Sequence, residues 1–97
     1  MENDDFEWDD RKAEQNRRKH RVTFEEAATA FEDELAIDAA DEAHSETEER
    51  RVLIGLPERL RLLTVVYTER HEKRRFITAR RSTKAETARY AEQARSA

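Results

Sequence analysis

The stretch "RRFITARRSTKAE", residues 74–86, carries five cations, Arg74, Arg75, Arg80, Arg81 and Lys84, against one acid, Glu86, in a chain whose formal net charge is -4. Guanidinium groups at this density suit phosphate oxygens or the carboxylates of an acidic partner, because the planar fork donates two parallel hydrogen bonds. As a strand, the segment sends Arg75, Ile77, Ala79 and Arg81 to one face and Arg74, Phe76, Thr78 and Arg80 to the other. Arg80 and Arg81 fall at its end, just before a helix cap, where a loss of strand geometry would let both reach one phosphate. Residues that blunt an exposed strand edge have a similar composition, so each arginine taken singly has an ordinary structural explanation beside the functional one.

Proton transfer needs groups that titrate or accept. Glu69, at the end of "TVVYTE", is a carboxylate placed to take a proton near the cationic cluster, although pairing with Arg70 or Lys73 is its ordinary role. His20, His44 and His71 titrate closest to neutral pH, so each is a candidate acid or base. No two of them have a compact spacing such as H-E-x-x-H, and the chain has no cysteine, so a metal site has no support and none is expected. No cofactor signature is present either. Tyr90 lies four residues after Glu86 and shares its helix side, where it can stack on a base, donate to a leaving oxygen or pack the helix on the sheet. The single tryptophan, Trp8, reads more naturally as a core anchor than as a stacking platform.

These side chains need elements to hold them. "FEW" (Phe6 to Trp8) reads as a short strand, and "DDRKAEQNRRKH" as a helix with acids first and bases last, in the order the helix dipole favours. In "TFEEAATAFEDEL", Thr23 precedes Glu26 by three residues, the spacing of a reciprocal capping box, and Phe24, Ala27, Ala28 and Phe31 form one buried stripe. "LAID" reads as a short strand and the acidic "AADEAHSETEE" as a loop or a frayed turn. Then "RRVLIGL", "RLLTVVYT" and "RRFITA", separated by "PERL" and "ERHEK", predict an antiparallel meander with Pro57 in the first connection. Thr83 and Glu86 repeat the capping-box spacing at the start of a last helix. The expected fold is α+β: two N-terminal helices, an antiparallel sheet of three to five strands and a C-terminal helix, in a single domain over residues 1–97.

Composition narrows the function classes. With 36% hydrophobic and 43% charged residues, the chain supports one modest core. The apolar run Leu62 to Tyr67 is too short to cross a membrane, and "MENDDFEWDD" lacks the apolar centre of a secretory signal, so the expected location is cytoplasmic. The charge is split: residues 1–49 hold 6 Lys/Arg against 18 Asp/Glu, whereas residues 50–97 hold 13 against 5. A folded object with one cationic face follows, suited to a polyanion. No segment reads as a DNA recognition helix, since Asn16, Arg17, Arg18 and Lys19 sit amid acids.

Four blocks in order, "FEWDDRKAEQNRRKHRVTFEEAATAF", "HSETEERRVLIGL", "RLLTVVYTER" and "RRFITARRSTKAETARY", resemble the BrnT toxins of type II toxin-antitoxin systems from about Phe6 to Tyr90. The resemblance implies a RelE-like fold and a metal-independent ribonuclease that arrests translation. It also implies neutralisation by a BrnA-like antitoxin, through which alone the pair contacts its operator DNA. Cleavage by RNA's own 2′-hydroxyl requires a proton acceptor, a proton donor and cations for the charge growing on phosphorus. On this reading Arg75, Arg80 and Arg81 contact the phosphate, Glu69 is the candidate base, and Lys19, His20, Arg70, Arg74 and Tyr90 contact RNA. His20 and His44 gain weight because they fall in the "KH" and "HSETEE" blocks. The competing expectation is a non-catalytic antitoxin-binding or co-repressor protein. One departure stands out: the family usually has Gly after "KH", where this chain has Arg21, so Arg21 is expected to bear strain or to alter the turn.

Overall fold

The computed structural model describes residues 1–44 and 48–97; Ser45, Glu46 and Thr47, in the acidic loop, lie outside the described residues. The described residues fold as α+β, with three α-helices and a five-stranded mixed sheet. The strands are β1 (Phe6–Glu7), β2 (Ile37–Ala40), β3 (Arg50–Gly55), β4 (Leu63–Arg70) and β5 (Lys73–Arg81), and the helices are α1 (Asp10–His20), α2 (Phe24–Thr29) and α3 (Lys84–Ser96). Sheet order is β1-β5-β4-β3-β2. The meander β2 to β5 is antiparallel as expected, but β1 pairs with β5 in parallel, so the sheet is mixed rather than wholly antiparallel. A hairpin signal cannot report on β1, whose partner lies about 68 residues away along the chain.

Local chemistry sets the helix ends. Asp9 caps α1, its carboxylate accepting from the amides of Arg11 and Lys12 at 2.8 and 3.3 Å. At the other end Arg21 adopts φ 60° and ψ 31°, so the strained alternative is the one realised: an arginine occupies the left-handed position that Gly fills without steric cost. Thr23 caps α2 through the Glu26 amide, but only half of the expected capping box forms, because the Glu26 carboxylate turns instead to Arg61. The helix is also shorter than its stripe suggested, tightening into a 3-10 turn over Ala30–Glu32. At α3 the box is complete: Glu86 N–H donates to Thr83 Oγ1 and Thr83 N–H donates to Glu86 Oε1.

Helices α1 and α2 cover one face of the sheet. Trp8, Val22, Phe24, Ala27, Leu53, Leu63, Val65, Tyr67, Phe76 and Ala79 are buried there. Six of the chain's seven aromatic residues join this layer. Phe76 is central, with Trp8, Phe31, Phe24 and Phe6 ring centroids 5.2–5.6 Å away. Trp8 is therefore a core anchor. The layer is pinned by Asn16, whose amide donates to the carbonyls of Val22 and Ala79 and accepts from the Ala79 amide at 2.7–3.0 Å. Beyond the two residues that β1 covers, this side chain takes the place of a neighbouring strand along β5. A second clamp, Glu26–Arg61 at 2.7 Å, ties the β3–β4 connection to α2, and Arg61 also donates to the Arg21 carbonyl.

The β4–β5 turn is two residues, His71 and Glu72, both left-handed at φ 51° and 66°. Hairpins of this kind usually place Asn-Gly there, so the sequence signal was weak.

Candidate functional site

The other face of the sheet is open, and the strand register fixes what it displays. Three cross-strand rows point that way: Arg50–Thr68–Arg75, Val52–Val66–Thr78 and Ile54–Thr64–Arg80. The core face carries Arg51–Tyr67–Phe76, Leu53–Val65–Ala79 and Gly55–Leu63–Arg81. The simple alternation expected for residues 74–81 fails at Ile77. There β5 bulges, with Val66 opposite Thr78 and Tyr67 opposite Phe76, so one residue is extra and the faces exchange. Arg75 and Arg80 thus share the open face, and Arg81 joins Arg74 on the other. Arg80 and Arg81 do not converge on one phosphate, because strand pairing continues through Arg81 opposite Leu63.

Two contiguous cavities occupy the open face. The larger, 560 Å³, lies between the sheet and α3; its lining includes Val52, Ile54, Val66, Arg80 and Arg89. The smaller, 330 Å³, is lined by Lys12, Glu48, Arg70 and Arg75 among others. His44, Arg50 and Ile77 border both. Cations therefore stand at both ends of an aliphatic floor. Arg75 and Arg80 are separated by the span from Thr68 to Thr64 on β4, roughly 13 Å at strand rise. Two guanidinium groups that far apart along the strand are too distant to share one tetrahedral anion.

Carboxylates hold these cations in place. Glu86 receives two hydrogen bonds from the Arg80 guanidinium at 2.7 and 2.9 Å, which, with the Thr83 amide, pulls its pKa from the ordinary 4.5 to about 2. Glu48 takes both forks of Arg70 at 2.7 and 3.0 Å, and Glu7 stands 3.8 Å from Arg75. A phosphate entering the groove competes with these partners.

The remaining candidates are dispersed. His20, at the end of α1, is driven toward its neutral form by burial and then by the nearby charges of Lys19 and Arg80, so Lys19, His20 and Arg80 are close in space. Arg74 lies over the core rings, 4.8 Å from the Phe31 centroid and 5.9 Å from that of Phe6, away from the open face. Glu69 sits opposite Arg74, and its ion-pair partner is Arg51 at 4.0 Å rather than Arg70 or Lys73. Tyr90 donates to Asp33 Oδ2 at 2.6 Å and ties α3 to the turn before β2; burial and that carboxylate push the phenol up to about 12. His71 is consumed by the hairpin turn. His44 bonds the Asp41 carboxylate through Nδ1 at 3.0–3.1 Å. Sequence reading missed Arg50, in the arginine pair that opens β3, and Arg89 on α3, which the register and α3 bring to the groove from segments far from residues 74–86.

A family model described as the ribonuclease toxin BrnT of type II toxin-antitoxin systems matches residues 8–86. The chain belongs to this toxin family. The match runs from Trp8 to Glu86 and so includes the Arg75 and Arg80 rows, His44 and the α3 cap. No curated protein matches the chain. Among the described residues, no group of three or more His, Cys, Asp or Glu side chains is placed to hold a metal ion, and no helix is long and apolar enough to cross a membrane.

Proposed function

We propose that this family member is an endoribonuclease that receives RNA along the open face of the sheet and arrests translation. The observation that carries the reading is the placement of Arg75 and Arg80 on the sheet face that α1 and α2 do not cover, at opposite ends of a groove flanked by α3 and floored by aliphatic side chains, within the segment matched by the ribonuclease toxin family. The 2′-hydroxyl attacks the adjacent phosphorus and the 5′-oxygen departs. Arg75 and Arg80 hold phosphates at the two ends of the groove and neutralise the charge that grows on the phosphoryl oxygens. Lys19, near Arg80, extends the cationic track with His20 beside it as a neutral hydrogen-bonding contact, and Arg70 continues the track past Arg75. Because the nucleophile belongs to the substrate, this chemistry uses no cofactor. Arg81, Arg74 and Glu69 fall outside the set, since their register positions belong to the helix-covered face. The sheet order and the packing of α1 and α2 on one face support a RelE-like fold.

The partner in this reading is a BrnA-like antitoxin that covers the open face, represses the shared operator through its own DNA-binding part and acts in the cytoplasm. Growth is measured after induction of the toxin alone and with the antitoxin, while total RNA is probed for new 5′ ends. Arrest with new ends, relieved by the antitoxin and lost in Arg75→Ala and Arg80→Ala variants that still fold, is the expected result. Arrest and cleavage that persist in both variants refute the open-face assignment. A wild-type chain that binds antitoxin but neither arrests growth nor cuts RNA is instead a non-catalytic co-repressor.

A further inference from the structure

We infer that His44, oriented by Asp41, is the base that takes the 2′-hydroxyl proton; this deepens the ribonuclease reading above and rests on it. The argument begins with placement. His44 is one of three residues that border both cavities, and the other two, Arg50 and Ile77, do not titrate near neutral pH. It therefore stands between the phosphate positions addressed by Arg75 and Arg80. Its side chain is 68% exposed, so substrate can reach it.

Orientation is the second observation. Nδ1 lies 3.1 and 3.0 Å from the two Asp41 carboxylate oxygens, an arrangement in which Nδ1–H donates and Nε2 is left as the acceptor. The turn that carries the pair, Glu42–His44, is anchored to the sheet: the Asp41 amide donates to the Arg50 carbonyl at 2.7 Å and the His44 amide donates to the Asp41 carbonyl at 3.2 Å. The carboxylate fixes the tautomer and stabilises the imidazolium that forms in the reaction, as in other histidine bases held by an acid. Charged groups facing the dyad are Arg50, Arg80, Glu86 and Arg89 around the larger cavity and Lys12, Glu48, Arg70 and Arg75 around the smaller.

The step balances without a further reactant. The 2′-hydroxyl proton moves to Nε2, the O2′–P bond forms, the P–O5′ bond breaks, and the proton passes from Nε2 through a water to the departing 5′-oxygen. The products are a 2′,3′-cyclic phosphate and a 5′-hydroxyl. His20 is a weaker base for this task because burial and two neighbouring cations disfavour its protonated form and it borders neither cavity.

The test is kcat/KM for cleavage of a short RNA across pH, with binding of a 2′-deoxy analogue measured in parallel, for wild type, His44→Gln, His44→Ala, Asp41→Asn and the turn variant His71→Gln. His44→Gln is expected to lose roughly 10²- to 10⁴-fold in rate with analogue binding unchanged. The acid limb of the wild-type profile should vanish in His44→Gln, Asp41→Asn should lose rate with analogue binding unchanged, imidazole should partly restore His44→Ala, and His71→Gln should follow wild type. A His44→Gln enzyme with the wild-type rate and profile overturns the assignment, as does a rate loss matched by an equal loss of analogue binding. If the wild-type chain cuts no RNA, the ribonuclease reading itself fails and takes this inference with it.

Discussion

Replacing Asn16 by Ala should unfold the helix-covered face more than any surface change of similar size. Asn16 is only 6% exposed, and its amide makes three hydrogen bonds, to Val22 O, Ala79 O and Ala79 N. Alanine leaves these three backbone groups without partners in a dry layer. At about 1 kcal/mol net for each bond, the loss is about 3 kcal/mol. Alanine's better helix propensity returns roughly 0.5 kcal/mol, so a net destabilisation of about 2–3 kcal/mol is expected. For a chain of 97 residues this corresponds to a fall in Tm of roughly 10–20 °C. Urea unfolding followed by the fluorescence of Trp8, which is buried in the same layer, reads it directly, with m unchanged. Asn16→Asp keeps the acceptor for Ala79 N–H but sets a carboxylate against two carbonyls, so it should lose at least as much. A change below about 1 kcal/mol in Asn16→Ala would refute the idea that this side chain stands in for a neighbouring strand.

Arg21→Gly should stabilise by about 1 kcal/mol, because glycine removes the Cβ penalty at φ 60° while the Arg21 carbonyl still accepts from Arg61; thermal unfolding checks it. His71→Asn with Glu72→Gly should stabilise by about 1–2 kcal/mol for the same reason at the β4–β5 turn. Gly55→Ala should destabilise by about 1–3 kcal/mol, since the new Cβ would lie 2.8 Å from Ala30 O and 3.0 Å from Leu53 Cδ2. Glu86 has a folded pKa of about 2 against an ordinary 4.5, so its contribution is fully present above pH 4.5 and drains away as pH falls toward 2. Acid unfolding of Glu86→Gln should accordingly show a flatter loss of stability over that window.

The cationic half, the helix caps and the meander were legible because each rests on interactions within a few residues. The Thr23 cap and the Thr83–Glu86 box each lie inside one helical turn, and alternating β-branched runs announce β3, β4 and β5 wherever they pack. The family blocks added what no periodicity could, since they compare whole segments. Where the reading slipped, a distant partner had intervened. Glu26 has ideal spacing for a capping box, yet a guanidinium 35 residues away offers its carboxylate two charged donors and wins over one neutral amide. β1 is two residues long and has no pattern of its own; it exists because β5 has an open edge to pair with.

The candidate site shows the same division. Arginine density near residue 75 was visible in the sequence alone, together with its implication of a polyanionic partner. Which arginines share a face was not, because a single bulged residue, Ile77, shifts the alternation by one and joins Arg75 to Arg80 while sending Arg81 across the sheet. Likewise His44 and Asp41 read as members of an acidic loop until β3 pairing sets them over the groove between the two arginines. Sequence determined the charges, the caps and the strand-forming segments, since those depend on near neighbours. Register, the bulge and the pairing of distant carboxylates with guanidinium groups decided which side chains meet, since those depend on how separate segments settle against one another.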